Sequence, residues 1–329
     1  MLNSQLVAPI TKISLAPDGR FLACYKKDGV LTVMGSAFNS KILDFDTRSA
    51  SRPVAIQWCG KDCVILQWRN TGLVMVGPFG DWINFPYDSA GIHIIPEIDC
   101  CRIVTSSTCE ILQMVPPQSV QALEIGSTDP AALILDAMEA FEDGDPKSDE
   151  NIRTIAATNQ LNDAVLNCIS AAASEFYPQS QQRLLKAASY GKAFCPDLDP
   201  MEFVETAKKL RVLNEVRRPE IGLPLTIQQY TRLTPEVLVG RLTSRNCHFL
   251  ALKICELLRL KNERVLIHWA CEKIRRMAQT GATDDEINRT IKTQLAPYGR
   301  ISYLAVAEAA YSIKRKKLAT IILDREQQP

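Results

Sequence analysis

The chain has 329 residues, of which 46% are hydrophobic, and its formal net charge is +1 at pH 7. This size and composition suffice for two domains with apolar cores, and the near-neutral charge argues against nucleic-acid binding through a strong basic field. No run of 18 or more apolar residues predicts a transmembrane helix, and residues 1–9 lack the pattern of a signal peptide. The 11 cysteines, none in a Cys-x-x-Cys pair, are therefore expected to be reduced thiols in the cytosol.

The first part of the chain, residues 10–115, alternates apolar and polar side chains, which predicts β-strands. Turn sequences at Pro17-Asp18-Gly19 and Asp28-Gly29 separate the first three strands, and residues 42–45 predict a fourth. A shorter unit then follows, with apolar segments at residues 92–95, 103–105 and 111–115.

The strand pattern repeats along the chain with an offset of 43 residues. The matched apolar pairs are Ile13 with Ile56, Phe21 with Val64, Ala23 with Leu66, Leu31 with Val74 and Val33 with Val76. A four-stranded unit that repeats every ~40–45 residues is typical of β-propeller blades. A plain antiparallel meander or sandwich is the alternative interpretation. Because propellers close with ~4–8 blades, this pattern predicts either a chain that lacks its first blades or a sheet region that is not a propeller.

Pro116-Pro117 marks a change of pattern, because two prolines cannot continue a ladder of paired strands. We predict a β + α multidomain chain, with the C-terminal blades of a partial β-propeller at residues 1–117. Residues 118–329 are predicted to form the N-terminal part of an α-solenoid of stacked antiparallel helix pairs. Three helices are predicted to start near residues 129, 226 and 234. Further helices are predicted at residues 151–157, 160–175, 180–194, 201–217, 246–259, 263–277, 284–295, 302–313 and 316–323.

Four sequence features are predicted to begin or end helices. Thr234 provides a hydroxyl cap before a proline, and Asn246 is expected to cap the next helix. Gly281 is placed as a helix stop. Thr283, with Glu286 three residues later, predicts a capping box.

Two helices carry apolar faces for which burial is predicted. The first face consists of Leu184, Ala187, Ala188 and Gly191. In the second helix Leu250 lies in the middle of the apolar stripe and is expected to be buried between repeats. Lys253 lies on the opposite face and is expected to be exposed.

His268 and Cys271 are candidate metal ligands, because their i, i+3 spacing places both on one helix face. Cys247-His248 lies one helix earlier and would supply the remaining ligands. A packed core is the favoured interpretation, because the same helix has an apolar stripe formed by Trp269, Ala270 and Ile274.

Two charged stretches were also weighed. Residues 143–147 resemble a calcium loop only faintly, because Gly144 and Lys147 stand at the wrong places, so a solvated acidic loop is favoured. The basic run at residues 314–317 would suit acidic lipid heads or a nuclear signal, but a solvated turn between helices is favoured. No common nucleotide-binding or hydrolase motif is present, so we expect no catalytic residues, no cofactor and no metal.

Several segments of the chain resemble the middle of the vacuolar protein sorting-associated protein 16 family. They are residues 183–192, 210–217, 221–226, 254–260 and 268–271. Residues 309–323 resemble the helical repeat that the family shares with clathrin heavy chain, and the strands before Pro116 are similar as well. The resemblance therefore covers nearly the whole chain.

This resemblance implies a non-enzymatic subunit shared by the two endolysosomal tethering complexes HOPS and CORVET, with an N-terminal propeller and a C-terminal solenoid. Such a subunit acts with other tethering-complex subunits, a Sec1/Munc18-type protein and SNAREs to promote fusion of late endosomes with lysosomes or vacuoles. It implies a cytoplasmic protein, peripheral on the membrane of the late endosome, lysosome or vacuole, without a nucleic-acid partner. The resemblance assigns no partner-binding residue and leaves actin and small GTPases undecided as partners.

Three departures from the family pattern are expected to matter. The chain starts inside the propeller and stops at Pro329, where the family's solenoid continues, so the Sec1/Munc18 docking surface is expected outside it. Lys314 stands where the helical repeat usually has glycine, which is expected to alter the turn before the last helix. Two other classes stay open: a coat or nucleoporin-type scaffold of the same layout, and a hydrolase with unrecognised catalytic residues.

Overall fold

The computed structural model describes residues 8–49, 51–69, 72–87, 91–298 and 301–326. The chain divides into two compact units, residues 1–120 and 121–329. The strands of the described residues are β1 (Ile10–Leu15), β2 (Phe21–Lys26), β3 (Val30–Gly35), β4 (Lys41–Asp46), β5 (Ala55–Cys59), β6 (Cys63–Trp68), β7 (Gly72–Val76), β8 (Trp82–Phe85), β9 (His93–Pro96), β10 (Cys101–Val104) and β11 (Cys109–Leu112).

Helices follow the strands without intermixing, so the predicted mixed β and α class is confirmed. They are α1 (Pro117–Leu123), α2 (Pro130–Glu142), α3 (Lys147–Ala157), α4 (Leu161–Ser174), α5 (Pro178–Lys192), α6 (Met201–Arg217), α7 (Ile227–Leu233), α8 (Pro235–Ser244), α9 (His248–Leu258), α10 (Glu263–Gln279), α11 (Asp284–Leu295), α12 (Leu304–Ser312) and α13 (Lys316–Leu323). Among the described residues no sheet closes on itself.

The strands form three antiparallel sheets, in which each strand pairs with its neighbours in sequence. Sheet 1 contains β1 to β4, sheet 2 contains β5 to β8, and sheet 3 contains β9 to β11. The first two sheets thus have four strands in the same order, and the third has three.

Sheet 2 is apolar on both faces. Val64 and Leu66 of β6 belong to a core shared with sheet 1, whereas Ile65 belongs to a second core shared with sheet 3. The alternation follows from strand geometry, since successive side chains point to opposite faces. The indole of Trp58 adds a directional contact, because its Nε1 donates a 3.0 Å hydrogen bond to the carbonyl oxygen of Ser14 in β1.

The expected repeat offset of 43 residues is wrong by one residue for β2 and β3. It holds for β1, because Ile13 pairs with Cys24 and Ile56 pairs with Leu66. Ala23 pairs with Val33 in sheet 1, and the corresponding ladder pair in sheet 2 is Ile65 with Met75. These pairs are related by an offset of 42 residues rather than 43. A slip of one residue moves a side chain to the other face, so the predicted match of Ala23 with Leu66 joined residues from opposite faces. Both residues contribute to the core between sheets 1 and 2.

The predicted helix ends are confirmed around Gly281. Thr283 and Glu286 form the capping box at the start of α11, with both reciprocal hydrogen bonds present. Gly281 adopts a left-handed φ of 78° directly after the C-cap residue of α10. A further capping box, between Thr226 and Gln229 at the start of α7, was not predicted.

One predicted cap is partly right and one is wrong. Thr234 is the N-cap residue of α8 with Pro235 at the first helical position, as predicted, but Thr234 has a φ of 69° and its side chain makes no capping hydrogen bond. Asn246 has a φ of 63° and stands one residue too early, because Cys247 is the N-cap residue of α9. In both cases the backbone leaves the preceding helix through a positive φ. Asparagine tolerates that conformation well, so Asn246 serves the turn rather than the cap.

The buried residues of the helices form three clusters. The first is shared by α1 to α6, the second by α6 to α10, and the third by α10 to α13. In the first cluster the predicted apolar face of α5 is buried. Gly191 on this face allows close approach, because a Cβ there would lie 2.8 Å from Cγ2 of Val165 and 3.1 Å from Cδ1 of Ile134.

The predicted burial of Leu250 is wrong in degree. Leu250 is half-buried and packs against the second helical cluster from its edge. The most deeply buried apolar residues of α9 are Ala251, Ile254 and Cys255, which lie one, four and five residues after Leu250. Lys253 is exposed, as predicted.

Ile254 provides a test of this packing. Ile254→Ala is expected to lower the free energy of unfolding by ~2–5 kcal/mol, because a buried side chain is replaced by a cavity. Lys253→Ala is the control on the exposed face and should change this free energy by less than ~0.5 kcal/mol. Urea titration followed by circular dichroism measures both, and equal shifts for the two variants would contradict the placement of α9.

Lys314 provides a second test, in the turn between α12 and α13. Its φ of 66° lies in the left-handed region. That conformation costs an L-residue about 1–2 kcal/mol, part of which glycine would give back as entropy of the unfolded chain. Lys314→Gly should therefore raise the free energy of unfolding by about 0.5–1 kcal/mol.

The matched control for this test is Lys316→Gly. Lys316 is also exposed and is the first residue of α13, where glycine relieves no left-handed backbone and should lower the free energy of unfolding by up to about 0.5 kcal/mol. Thermal and urea unfolding of the two variants should therefore shift in opposite directions. Destabilisation by both substitutions would show that the turn at Lys314 is not strained.

Candidate functional site

The structure brings together two histidines that lie 20 residues apart. Nε2 of His248, at the start of α9, is 2.8 Å from Nδ1 of His268 in α10, so the two imidazoles share a hydrogen bond. Cys271 points elsewhere, because its Sγ donates to the carbonyl oxygen of Ala305. The residues weighed as metal ligands therefore do not converge on one point. Across the described residues, no three His, Cys, Asp or Glu side chains are grouped to hold a metal.

His248 is 9% exposed and is held near other cationic groups. Burial lowers its pKa, and the neighbouring His268 and Arg276 lower the pKa further, while Glu272 raises it. The hydrogen bond between Nε2 of His248 and Nδ1 of His268 requires a proton on one of these two nitrogens and not on both, because two N–H groups facing each other would repel. The hydrogen bond thus joins α9 to α10 most firmly when His248 is neutral.

The two charged stretches serve helix termini. Asp145, within the acidic loop, accepts a 2.9 Å hydrogen bond from the backbone amide of Lys147 at the start of α3. In the basic run, Arg315 donates 2.7 Å hydrogen bonds to the carbonyl oxygen of Ala282 and to Asp284. Lys314 and Arg315 lie in the turn before α13, as the favoured interpretation predicted, whereas Lys316 and Lys317 begin the helix. The three lysines are exposed.

Arg217 is a half-buried cation at the end of α6. Its Nε donates to the carbonyl oxygen of Leu225 at 3.0 Å, and Nη1 donates to that of Glu175 at 3.2 Å. The guanidinium carbon lies 4.0 Å from the ring centroid of Phe176. Burial lowers the pKa of Arg217 to about 10. Because Glu175 is the C-cap residue of α4, the guanidinium satisfies a carbonyl that the helix leaves unpaired.

Several thiols are buried deeply enough to suppress their chemistry. Burial raises the pKa of Cys59, Cys101 and Cys168 to about 12. A thiolate is the nucleophilic form, so these cysteines are poor nucleophiles at neutral pH. Their Sγ atoms instead donate to backbone carbonyl oxygens.

A groove of about 670 Å³ lies between α6 and α9. Its lining combines apolar and charged side chains: Arg211, Val212, Asn214, Glu215, Leu250, Lys253, Ile254, Glu256 and Leu257. Phe249 stands 77% exposed beside the half-buried Leu250. An apolar floor with charged margins is suited to an amphipathic segment of another protein. The sequence did not predict this groove, because helical periodicity does not specify how far apart neighbouring helices pack.

A smaller cavity of about 110 Å³ lies between sheets 1 and 2. Phe21 and Trp58 stack beside it with ring centroids 6.5 Å apart, and both line its wall. Lys61 and Asp62 stand among its lining residues. The cavity is apolar apart from these two charges, so it holds no constellation suited to acid–base chemistry.

Among the described residues no helix combines the length and hydropathy needed to cross a membrane.

These features define a two-unit chain, in which stacked sheets are followed by packed helices with an open groove. A sequence model of the Vps16 N-terminal region matches residues 3–205. Protein VACUOLELESS1 of Arabidopsis thaliana is 42% identical over 324 residues, which cover 98% of this chain and 37% of that protein.

Two further relatives carry the same family name. The vacuolar protein sorting-associated protein 16 homologue of Dictyostelium discoideum is 39% identical, over 99% of this chain and 39% of its own length. The Saccharomyces cerevisiae protein is 32% identical, over 82% of this chain and 34% of its own length. The chain therefore belongs to the Vps16 family, as the resemblance indicated. It spans about two fifths of the length of the relatives it matches.

The histidine pair predicts a pH dependence of stability. The unfolded state has a histidine pKa of about 6.5, and the folded state has a lower one at His248, so acid protonates the unfolded chain first. The contribution of neutral His248 to the free energy of unfolding is therefore complete above about pH 6.5 and decreases as the pH falls below that value.

His248→Asn removes the titrating group and should reduce the difference in free energy of unfolding between about pH 7 and about pH 5. His93→Asn, at an exposed position in β9, is the matched control and should leave that difference unchanged. Urea titrations at both pH values measure it. An unaltered difference in the His248 variant would contradict the role of the pair.

Proposed function

We propose that this chain is part of a non-enzymatic scaffold subunit of an endolysosomal membrane-tethering complex of the HOPS and CORVET type. The subunit would support SNARE-mediated fusion and vesicle-mediated protein transport to the lysosome or vacuole. The observation that carries this proposal is the identity of 39–42% over nearly the whole chain with relatives of the Vps16 family. One of these relatives is named for vacuolar protein sorting and the other for the loss of vacuoles.

We infer that the three sheets are consecutive blades of a β-propeller and that the helices are the beginning of an α-solenoid, with the boundary near Pro116-Pro117. Two observations support this inference. Sheets 1 and 2 have the same strand order and share a core face to face, as neighbouring blades do. Consecutive helices share each of the three helical clusters, as stacked repeats do.

A scaffold role also fits the polar groups of the helical unit. The hydrogen bonds of His248, Arg217 and Arg315 join separate helices or turns, so these side chains are used for structure. The groove between α6 and α9 is the surface that we propose for contact with another subunit. Its margins offer both signs of charge, which favours a partner segment with alternating charges beside an apolar stripe.

The proposal places the subunit in the cytoplasm, peripheral on the late endosome, lysosome or vacuole membrane through its complex. The partners in the assembled complex are other tethering subunits, a Sec1/Munc18-type protein and SNAREs. A coat or nucleoporin-type scaffold is the second candidate, because sheets followed by stacked helices suit that class equally well. The family match favours the tethering complex.

Affinity purification tests the proposal. The tagged chain is expressed in Saccharomyces cerevisiae, which has a relative that is 32% identical. Mass spectrometry should identify subunits of the tethering complexes in amounts comparable to the chain, because the matched surfaces recognise the same partners. Recovery of the Sec1/Munc18-type protein should be weak, since its docking surface is expected outside these residues.

A groove variant carries Leu250→Asp and Leu257→Asp, which place two charges in the groove without altering a fully buried residue. It should lose the tethering subunits while remaining helical by circular dichroism. Stoichiometric recovery of coat or nuclear-pore subunits in place of tethering subunits would contradict the proposal and favour the second candidate.

A further inference from the structure

Thr234, at the junction between α7 and α8, has a backbone conformation that suits glycine better than threonine. Its φ is 69° and its ψ is 147°. A positive φ is an outlier for a β-branched residue, and this combination lies close to a region that glycine alone occupies readily. The ψ value is ordinary, because a residue that precedes proline adopts an extended ψ. The strain at this junction therefore lies in one torsion angle.

Two other threonines show the conformation that Thr234 lacks. Thr226 and Thr283 are N-cap residues with φ values of −76° and −74°, and each side chain accepts a hydrogen bond from the backbone amide of the third helical residue. Thr234 has the same place before α8 and a similarly extended ψ, but its side chain makes no capping hydrogen bond. Rotation of its φ into the negative range would relieve the strain and bring the hydroxyl toward the amide of Val237.

Such a rotation moves α7 relative to α8. The rotating bond follows the amide nitrogen of Thr234, so the hydrogen bond from that amide to the carbonyl oxygen of Tyr230 moves together with α7. On the other side of α7, Gly222 has a φ of 65°. Glycine adopts positive and negative φ about equally well, so this residue can absorb the movement. Residues 223–233, named the strap below, therefore lie between two positions at which the backbone can turn.

The strap is fastened to the end of α6 by hydrogen bonds and by apolar contacts. The amide of Leu223 donates to the carbonyl oxygen of Val216 at 2.9 Å, and Nε of Arg217 donates to that of Leu225 at 3.0 Å. Tyr230 is 2% exposed and belongs to the second helical cluster. Its hydroxyl has no hydrogen-bond partner among the described residues. A buried hydroxyl without a partner destabilises this arrangement, because it has given up its hydrogen bonds to water.

We propose that the strap is a conformational device with two states, closed as in this structure and open after rotation about Thr234. Apolar contacts and the hydrogen bonds to Val216 and Arg217 favour the closed state. The strained torsion and the unpaired hydroxyl of Tyr230 favour the open state, because both are relieved there. Val216 and Arg217 directly follow the groove residue Glu215, so opening of the strap frees the end of α6 beside the groove.

Hydrogen–deuterium exchange of the full 329-residue chain, followed by mass spectrometry, tests this proposal. An open α7 has only seven residues, and so short a helix does not persist without packing, so its amides exchange in the open state. In the unaltered chain the amides of α7 should therefore exchange faster than those of α8.

Thr234→Gly removes the strain of the closed state and the capping hydroxyl of the open state. Exchange in α7 should slow by about threefold or more. Exchange in α8 should change by less than about twofold, which distinguishes a closed strap from a general gain in stability. Thr231→Gly is the matched control. Thr231 is exposed inside α7, where glycine weakens the helix, so the same substitution should speed exchange there.

Tyr230→Phe tests the second contribution independently. It removes the unpaired hydroxyl and keeps the ring, so exchange in α7 should slow by about twofold or more. Equal exchange rates of α7 and α8 in the unaltered chain would overturn the proposal, because the strap would then open only with its surroundings. Unchanged or faster exchange in α7 of the Thr234→Gly variant would also overturn it. So would faster exchange in the Tyr230→Phe variant, because the hydroxyl would then hold the strap closed.

Discussion

Sheet 2 is apolar on both faces, and the arrangement of the first unit depends on covering them. Alternate side chains of β6 point to opposite faces: Val64 and Leu66 pack against sheet 1, and Ile65 packs against sheet 3. A sheet with one polar face could stand at a surface, but burial stabilises this strand by roughly 1.5–3 kcal/mol for each large side chain on either face. Three stacked sheets are the smallest arrangement that satisfies this requirement. The same requirement repeated around a ring gives the propeller that we propose.

Much of the fold could be predicted from local patterns, because periodicity and turn chemistry depend on neighbouring residues. The strands, the change of pattern at Pro116-Pro117 and the capping box at Thr283 follow from such signals. The register between repeats could not be predicted equally well. Hydrophobic matches at an offset of 43 residues looked as good as those at 42, since both faces of β6 are apolar. At Thr234 the helix begins where it was predicted, but the hydroxyl makes no capping hydrogen bond. At Asn246 a positive φ moves the start of the next helix one residue further along the chain.

The candidate surfaces depend on the distances between helices. Local sequence patterns do not predict these distances. His248 and His268 lie on helices joined by a short connection, so the sequence could predict that the two residues are near each other. It could not predict how each helix is rotated about its axis, which decides whether the two rings meet. The groove between α6 and α9 gave no sequence signal at all, because its apolar residues follow the ordinary helical period. The family, in contrast, was recognisable from collinear segments, and the comparisons confirm it.

The account makes the matched region an exchangeable part of a Vps16-type subunit. The most direct measurement replaces the corresponding segment of the Saccharomyces cerevisiae relative with this chain and follows delivery of a vacuolar hydrolase in cells that lack the native gene. The account predicts that the chimera restores delivery, because 32% identity over 82% of the chain preserves the fold and its contacts. A chimera that accumulates, unfolds cooperatively and still fails to support delivery would contradict it.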